Sequence, residues 1–206
     1  VLAEQFIYEG LKRNEFCIYF AVNHSPNSIR KRMQSFGWET KSYEEKGNMI
    51  FVDGFIGRIQ PSNEKYSIES PRAPESYTRM FQTLSEIIEK NGTTRLVFDS
   101  LSSIAMIFPL EVTYLFMERL HAYTDLFNSV SLFLAAEGMH EAKLETAMKQ
   151  VFGNVVSLHK NSQERFLLIE KMATTHPLHA IPFDISNQGI SIKDGFYKKV
   201  QKNNRI

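Results

Sequence analysis

The sequence predicts an α/β fold: a mostly parallel central sheet covered by helices, with antiparallel strands at its C-terminal edge. Three observations carry this. Apolar runs without polar alternation, Phe16 to Val22 (FCIYFAV), Leu96 to Phe98, and Val130 to Ala136 (VSLFLAA), read as strands covered on both faces. Helical patterns alternate with them, as the crossovers between parallel strands require. Beyond residue 153 the helical patterns stop, and four short strand patterns follow closely enough to pair as antiparallel neighbours.

Each element has its own signal. Residues 1–13 place Leu2, Phe6, Ile7, Gly10 and Leu11 at helical spacing, and Asn14-Glu15 breaks the pattern before the first strand. Ser25-Pro26 is a strong helix start, a hydroxyl N-cap followed by proline at the first position. That helix turns Ile29, Met33 and Phe36 inward and Arg30, Lys31 and Arg32 outward, and Gly37 ends it. Residues 38–75 read as a long loop with one short strand, Met49 to Val52, because Asp53-Gly54, Gly57, Pro61, Pro71 and Pro74 punctuate it. A loop this long inside a compact domain reads as functional or mobile. Further helices are predicted over 76–90, stopped by Asn91-Gly92, and over 110–126 and 141–151. The final strands read as 154–159, 165–172, 179–185 and 189–192. Residues 1–192 thus form one predicted domain, and 193–206 a basic tail.

Composition narrows the function classes. With 24 Lys and Arg against 23 Asp and Glu, the net charge is +1, so any nucleic-acid surface has to be local. The candidates are Arg30-Lys31-Arg32 with Lys41, and the tail; the alternative for the triplet is the wet face of a helix. One cysteine, Cys17, excludes an internal disulfide framework and fits a reducing, cytoplasmic setting. No apolar stretch approaches the roughly 18 residues of a membrane span, so no membrane partner is expected.

The chemistry concentrates around Arg95-Leu96-Val97-Phe98-Asp99-Ser100. A carboxylate where a buried strand stops stands in the crevice at the sheet's carboxyl edge, where open α/β sheets bind ligands. Asp99 with Ser100, Ser102 and Ser103 either holds a magnesium ion, usually through water, or caps the strand-to-helix turn. Glu137, after another central strand, either senses a phosphate or meets solvent.

Several segments resemble the KaiC-type, Rad55-like branch of the RecA-like ATPases, in the same order through almost the whole chain. Leu2 to Glu15 (LAEQFIYEGLKRNE) is similar to the helix that follows the phosphate-binding loop there. Cys17 to Ile29 (CIYFAVNHSPNSI) resembles the second-strand segment, and Phe36 to Trp38 the end of the next helix. Arg95 to Ile104 (RLVFDSLSSI) resembles the Walker B strand. Phe133 to Glu137 (FLAAE) resembles the following sheet strand, and Glu170 to Ile192 the terminal strands. The resemblance implies a RecA-like three-layer sandwich, ATP and magnesium as cofactors, and a homo-oligomer or a related ATPase-fold subunit as partner. It assigns Asp99 to the metal, and Asp99, Ser100, Glu137 and Lys171 to the nucleotide, with Lys171 reaching a neighbouring subunit's site.

The departures shape the functional expectation. No Walker A loop, G-x-x-x-x-G-K-S/T, is present, although the family places it just before the helix that opens here at Val1. The uncapped start of that helix favours a first strand and phosphate loop lying before residue 1. Asn23 and His24 occupy the positions of the family's acidic pair, which activates the attacking water; an amide is no base. Ala173 stands where the family's terminal strand carries an arginine, while Lys171 is kept. The expectation is a nucleotide-responsive regulatory or assembly subunit with weak or no ATP hydrolysis. The alternatives are a pseudo-ATPase interaction module that binds no nucleotide, or a recombinase paralogue that binds DNA.

Overall fold

The computed structural model describes residues 1–57, 59–162 and 164–193. The chain divides into two compact units, residues 3–151, and residues 1–2 with 152 onward. The first holds helices α1 (Leu2–Lys12, from Ala3 on), α2 (Pro26–Ser35), α3 (Lys41–Glu45), α4 (Ser76–Asn91), α5 (Leu101–Ala105), α6 (Leu110–Leu126) and α7 (Ala142–Val151). Its strands are β1 (Phe16–Ala21), β2 (Met49–Asp53), β3 (Tyr66–Ser67), β4 (Thr94–Asp99) and β5 (Val130–Phe133). They form one parallel sheet in the order β3-β2-β1-β4-β5. The predicted parallel sheet covered by helices is therefore present.

The unbroken apolar character of β1 and β4 has the expected cause. Residues Cys17 to Ala21 and Leu96 to Phe98 are all buried, so both faces of the sheet's centre are covered. On one face Phe20 stacks on Phe98 at 4.8 Å, and Phe98 meets Phe116 of α6 at 5.5 Å. On the other, Tyr19 meets Phe51 at 5.9 Å, and the Arg30 guanidinium of α2 lies over the Phe51 ring at 4.4 Å. Helix α2 begins as its sequence predicts, with the Ser25 hydroxyl accepting from the Ser28 amide at 3.3 Å.

Helix α1 packs on the second face so closely that Gly10 has a steric role. A Cβ there would lie 2.5 Å from Cδ and Nε of Arg95 and 2.9 Å from Sγ of Cys17. Arg95 cannot swing clear. Its guanidinium donates to Glu15 at 2.5 and 3.0 Å and to the Phe6 carbonyl at 3.1 Å, and it covers the Phe6 ring at 4.4 Å. Alanine would gain about 1 kcal/mol in helix propensity, but forcing an extra group into a packed site costs about 1–3 kcal/mol. Sterics win. Gly10→Ala is expected to lower stability by up to about 2 kcal/mol, read as an earlier urea midpoint at unchanged slope. Beside it Cys17 is buried, which pushes its thiol up to about 12 despite the nearby Arg95; it is an inert core group.

The long segment 38–75 is more structured than its sequence predicts. It contains α3 and the two-residue strand β3, and it is tied down by Arg30. That guanidinium donates to Glu44 of α3 at 2.6 and 3.1 Å and to Glu64 at 2.6 and 2.9 Å, all three side chains being largely shielded. Arg30 therefore does not face water, as predicted for its triplet. Arg32, half-buried, pairs with Glu4 of α1. Lys31 alone of the triplet is exposed.

The C-terminal unit carries β6 (Val155–Lys160), β7 (Arg165–Lys171), β8 (Ile181–Ser186) and β9 (Gly189–Ile192). These pair antiparallel in the order β6-β7-β8-β9, as a sheet of their own. The basic tail predicted over 193–206 lies, except for Lys193, outside the described residues. No helix among the described residues is long and apolar enough to cross a membrane.

Candidate functional site

Three adjacent strands stop at one level. In the pairing of β2, β1 and β4, Ala21 is the partner of Asp53 on one side and of Asp99 on the other. The two carboxylates thus flank the exit of β1, with Cα atoms roughly two strand spacings, about 10 Å, apart. Both are buried at the residue level. This is the crevice at the carboxyl edge of a parallel sheet.

The Asp99 side chain is oriented from beneath. The Tyr19 hydroxyl donates to its Oδ2 at 2.8 Å. Burial, and then the Asp99 charge beside it, push the Tyr19 phenol far above its ordinary value, so Tyr19 stays a neutral donor. The Arg32–Glu4 ion pair adds opposed charges near the same pair. The Asp99 carbonyl accepts from the amides of Val22 and Asn23 at 2.6 and 3.3 Å, locking the exits of β1 and β4 together. The peptide between Asp99 and Ser100 is cis.

Around Asp99 the serines of the β4–α5 turn are engaged by defined partners. Asn23 Nδ2 donates to Ser100 Oγ at 3.0 Å, and Ser103 Oγ donates to Asn23 Oδ1. Ser102 Oγ accepts from the Ala136 amide at 2.8 Å, and the Leu101 amide donates to the Leu134 carbonyl at 2.8 Å. Chain continuing from β5 is thereby held against the start of α5.

Asp99, Ser100 and Asn23, all candidates from the sequence, are brought into one hydrogen-bonded group. His24, next to Asn23, is exposed. Glu137 is not at a strand end, because β5 stops at Phe133; it lies in the following turn, 3.9 Å from Lys149 of α7. Lys171 ends β7 in the C-terminal unit, where its Nζ donates to the Phe152 carbonyl at 2.8 Å. Ala173 follows, its amide donating to Asn154 Oδ1 at 3.4 Å.

Asp53 is the residue the sequence reading missed. Its Oδ1 accepts from the Phe55 amide at 3.0 Å and its Oδ2 from the Ser62 hydroxyl at 2.5 Å. The amides of Gly54 and Ile56 donate to the carbonyls of Ala21 and Val22 at 2.9 and 3.2 Å, so residues 54–56 lie against the exit of β1. The signal was available: Asp53 ends an apolar run, as Asp99 does, but the following glycine makes the pair read as a turn.

The donor set suits a hydrated divalent cation in part. Magnesium takes one or two carboxylates and keeps several waters. Asp99 offers one carboxylate oxygen that no protein donor among the described residues engages, beside the serine hydroxyls. Among the described residues no group of three or more His, Cys, Asp and Glu could hold a metal ion by itself.

Comparison with known proteins places this architecture. The family model described as "ATPase: KaiC" matches residues 1–196. A UPF0273 protein of Pyrococcus horikoshii is 26% identical over 214 residues, covering 100% of this chain and 84% of the relative. A UPF0273 protein of Methanocaldococcus jannaschii is 27% identical, covering 93% and 81%. The crystal structure of a KaiC-like protein from P. horikoshii superposes with a TM-score of 0.72 at 23% identity, covering 93% of this chain and 82% of the other. That likeness establishes the fold, and the match over nearly the whole length establishes the family. The chain belongs to the KaiC ATPase family of RecA-like proteins.

Proposed function

We propose that this chain is a nucleotide-responsive regulatory or assembly subunit that binds ATP with magnesium and hydrolyses it weakly or not at all. One observation carries the reading. Where β1 leaves the sheet beside Asp99, the side chain in place is Asn23, an amide held between Ser100 and Ser103, rather than a carboxylate. A base must take a proton from the attacking water, and an amide cannot. His24 is exposed and offers no carboxylate either.

Asp99 is the residue that would hold the magnesium ion, with Ser100 beside it. The ion, when bound with ATP, supplies charge neutralisation on the phosphates. Tyr19 holds one oxygen of the Asp99 carboxylate by its hydrogen bond to Oδ2, leaving the other for the ion. Lys171 is the candidate for a contact with a neighbouring subunit's nucleotide, and Glu137 for a peripheral phosphate contact. A second copy or a related ATPase-fold subunit is the proposed partner, in the cytoplasm.

The DNA-binding reading is the weaker one, because Arg30 and Arg32, two of the three clustered cations, are committed to Glu44, Glu64 and Glu4. The reading is tested by steady-state turnover of ATP–magnesium by the natural protein. The expected result is turnover far below 1 per second, the low end of ordinary enzymes. Brisk hydrolysis that disappears in Asp99→Ala would contradict it.

A further inference from the structure

Helix α6 is apolar on two sides, and only one of them serves the core. Thr113, Phe116, Met117, Leu120 and Thr124 are buried against the sheet side. Val112, Leu115, Arg119, Ala122 and Leu126 form a second stripe with steps of 3, 4, 3 and 4 residues, the spacing of a helix–helix seam. Leu115 is 50% exposed and Leu126 72%. Along the stripe a groove opens between α6 and α4, walled on the α4 side by Tyr77 and Phe81. Tyr123 of α6 reaches across to α4, packed edge-on to Phe81 at 5.6 Å and donating to Glu89.

We infer that this groove docks an amphipathic helix of a partner protein that carries a carboxylate opposite Arg119. The seam spans 15 residues, 14 helical steps or about 21 Å, which a partner helix of roughly four turns covers. Two leucines near its ends and aromatic rings along one wall are anchors of the kind that helix-in-groove recognition uses. The charge at its centre selects the partner. No ion pair among the described residues engages Arg119, and no acidic residue stands three or four positions from it on α6. Glu118, its neighbour in sequence, is hydrogen-bonded by Tyr114.

A second copy paired symmetrically through its own α6 is the wrong occupant. Arg119 is the middle residue of the stripe, so symmetric pairing of α6 with another α6 sets two copies of Arg119 face to face in an apolar seam. Like charges so placed oppose association. An acidic residue amid leucines satisfies both the charge and the spacing.

The test uses two fluorescein-labelled helical peptides of about 21 residues, with leucines in the 3-4 pattern. One carries glutamate and its twin lysine at the central seam position. Fluorescence anisotropy against the natural protein is expected to show the glutamate peptide binding at least tenfold tighter than its twin, about 1.4 kcal/mol. Arg119→Glu, an exposed change that leaves the core intact, is expected to reverse that order, and Leu115→Asp to abolish both. Failure of both peptides to bind, equal binding, or an order that Arg119→Glu leaves unchanged would overturn the proposal. So would a dimer of the natural protein that Leu126→Lys dissolves, which would assign the seam to a second copy.

Discussion

Phe98→Ala is expected to remove about 3–5 kcal/mol of stability, enough to leave a domain of ordinary stability barely folded. The size follows from its surroundings. Phe98 has no solvent exposure, stacks on Phe20 at 4.8 Å, and touches Phe116 at 5.5 Å and Phe133 at 6.2 Å. These partners come from β1, α6 and β5, so the ring joins α6 to three neighbouring strands, its own included. Strands and helices of a packed sheet cannot close on the space a phenylalanine leaves, and the cavity cost adds to the lost transfer energy. Phe98 also precedes Asp99, so its loss loosens the strand end that carries the site. Urea unfolding followed by circular dichroism reads the effect. A loss below about 1.5 kcal/mol, typical of a volume-conserving swap, would show that the aromatic cluster is not the centre of the core.

Asn23→Glu combined with His24→Glu is expected to raise ATP turnover by about 100-fold or more, the range a positioned general base contributes. The Asn23 backbone is fixed by its amide hydrogen bond to the Asp99 carbonyl at 3.3 Å, so a carboxylate introduced there starts beside the crevice. The substitution gives up the hydrogen bonds that Asn23 makes with Ser100 and Ser103 and brings a like charge toward Asp99. A bound divalent cation offsets that repulsion, so the gain should require magnesium and vanish with chelator. Unchanged turnover in a folded double variant would mean that something other than the missing acidic pair limits hydrolysis.

The elements that carry a long or unbroken pattern were legible in the sequence. Helix α6 was read over 110–126 and is Leu110–Leu126; Ser25-Pro26 placed the start of α2; the apolar runs placed β1 and β4. The short elements were not. The five residues of α3 contain no buried residue, and β3 is two residues held by its pairing with Val52 and Asp53. Arg30 gathers Glu44 of α3 and Glu64 ahead of β3, contacts at 14 and 34 residues' separation that local periodicity does not encode. The same long-range pairing explains why a basic triplet that reads as a nucleic-acid patch or a wet helix face has two of its three cations committed to carboxylates. Strand β5 is shorter than its apolar run because Leu134 bonds outward to Phe98 and Leu101, beyond the last register pair at Phe133, leaving Glu137 in a turn.

At the site, sequence position gave Asp99, Ser100 and Asn23, and the family tie gave them meaning. Asp53 was hidden by its glycine neighbour. The orientation of Asp99 by Tyr19 follows from strand pairing, since Tyr19 is two residues before Ala21, the partner of Asp99, and so shares its face. That relation needs the register, which the sequence does not supply.

The most direct measurement is calorimetric titration of the natural protein and its Asp99→Asn variant with a non-hydrolysable ATP analogue, with and without magnesium. Asparagine is nearly isosteric and still accepts from Tyr19, so the fold is expected to persist, checked by its unfolding midpoint. A nucleotide site resting on Asp99 predicts magnesium-dependent binding to the natural protein and at least tenfold weaker binding to the variant, about 1.4 kcal/mol. No binding to the natural protein, or equal binding to both with no dependence on magnesium, would contradict it.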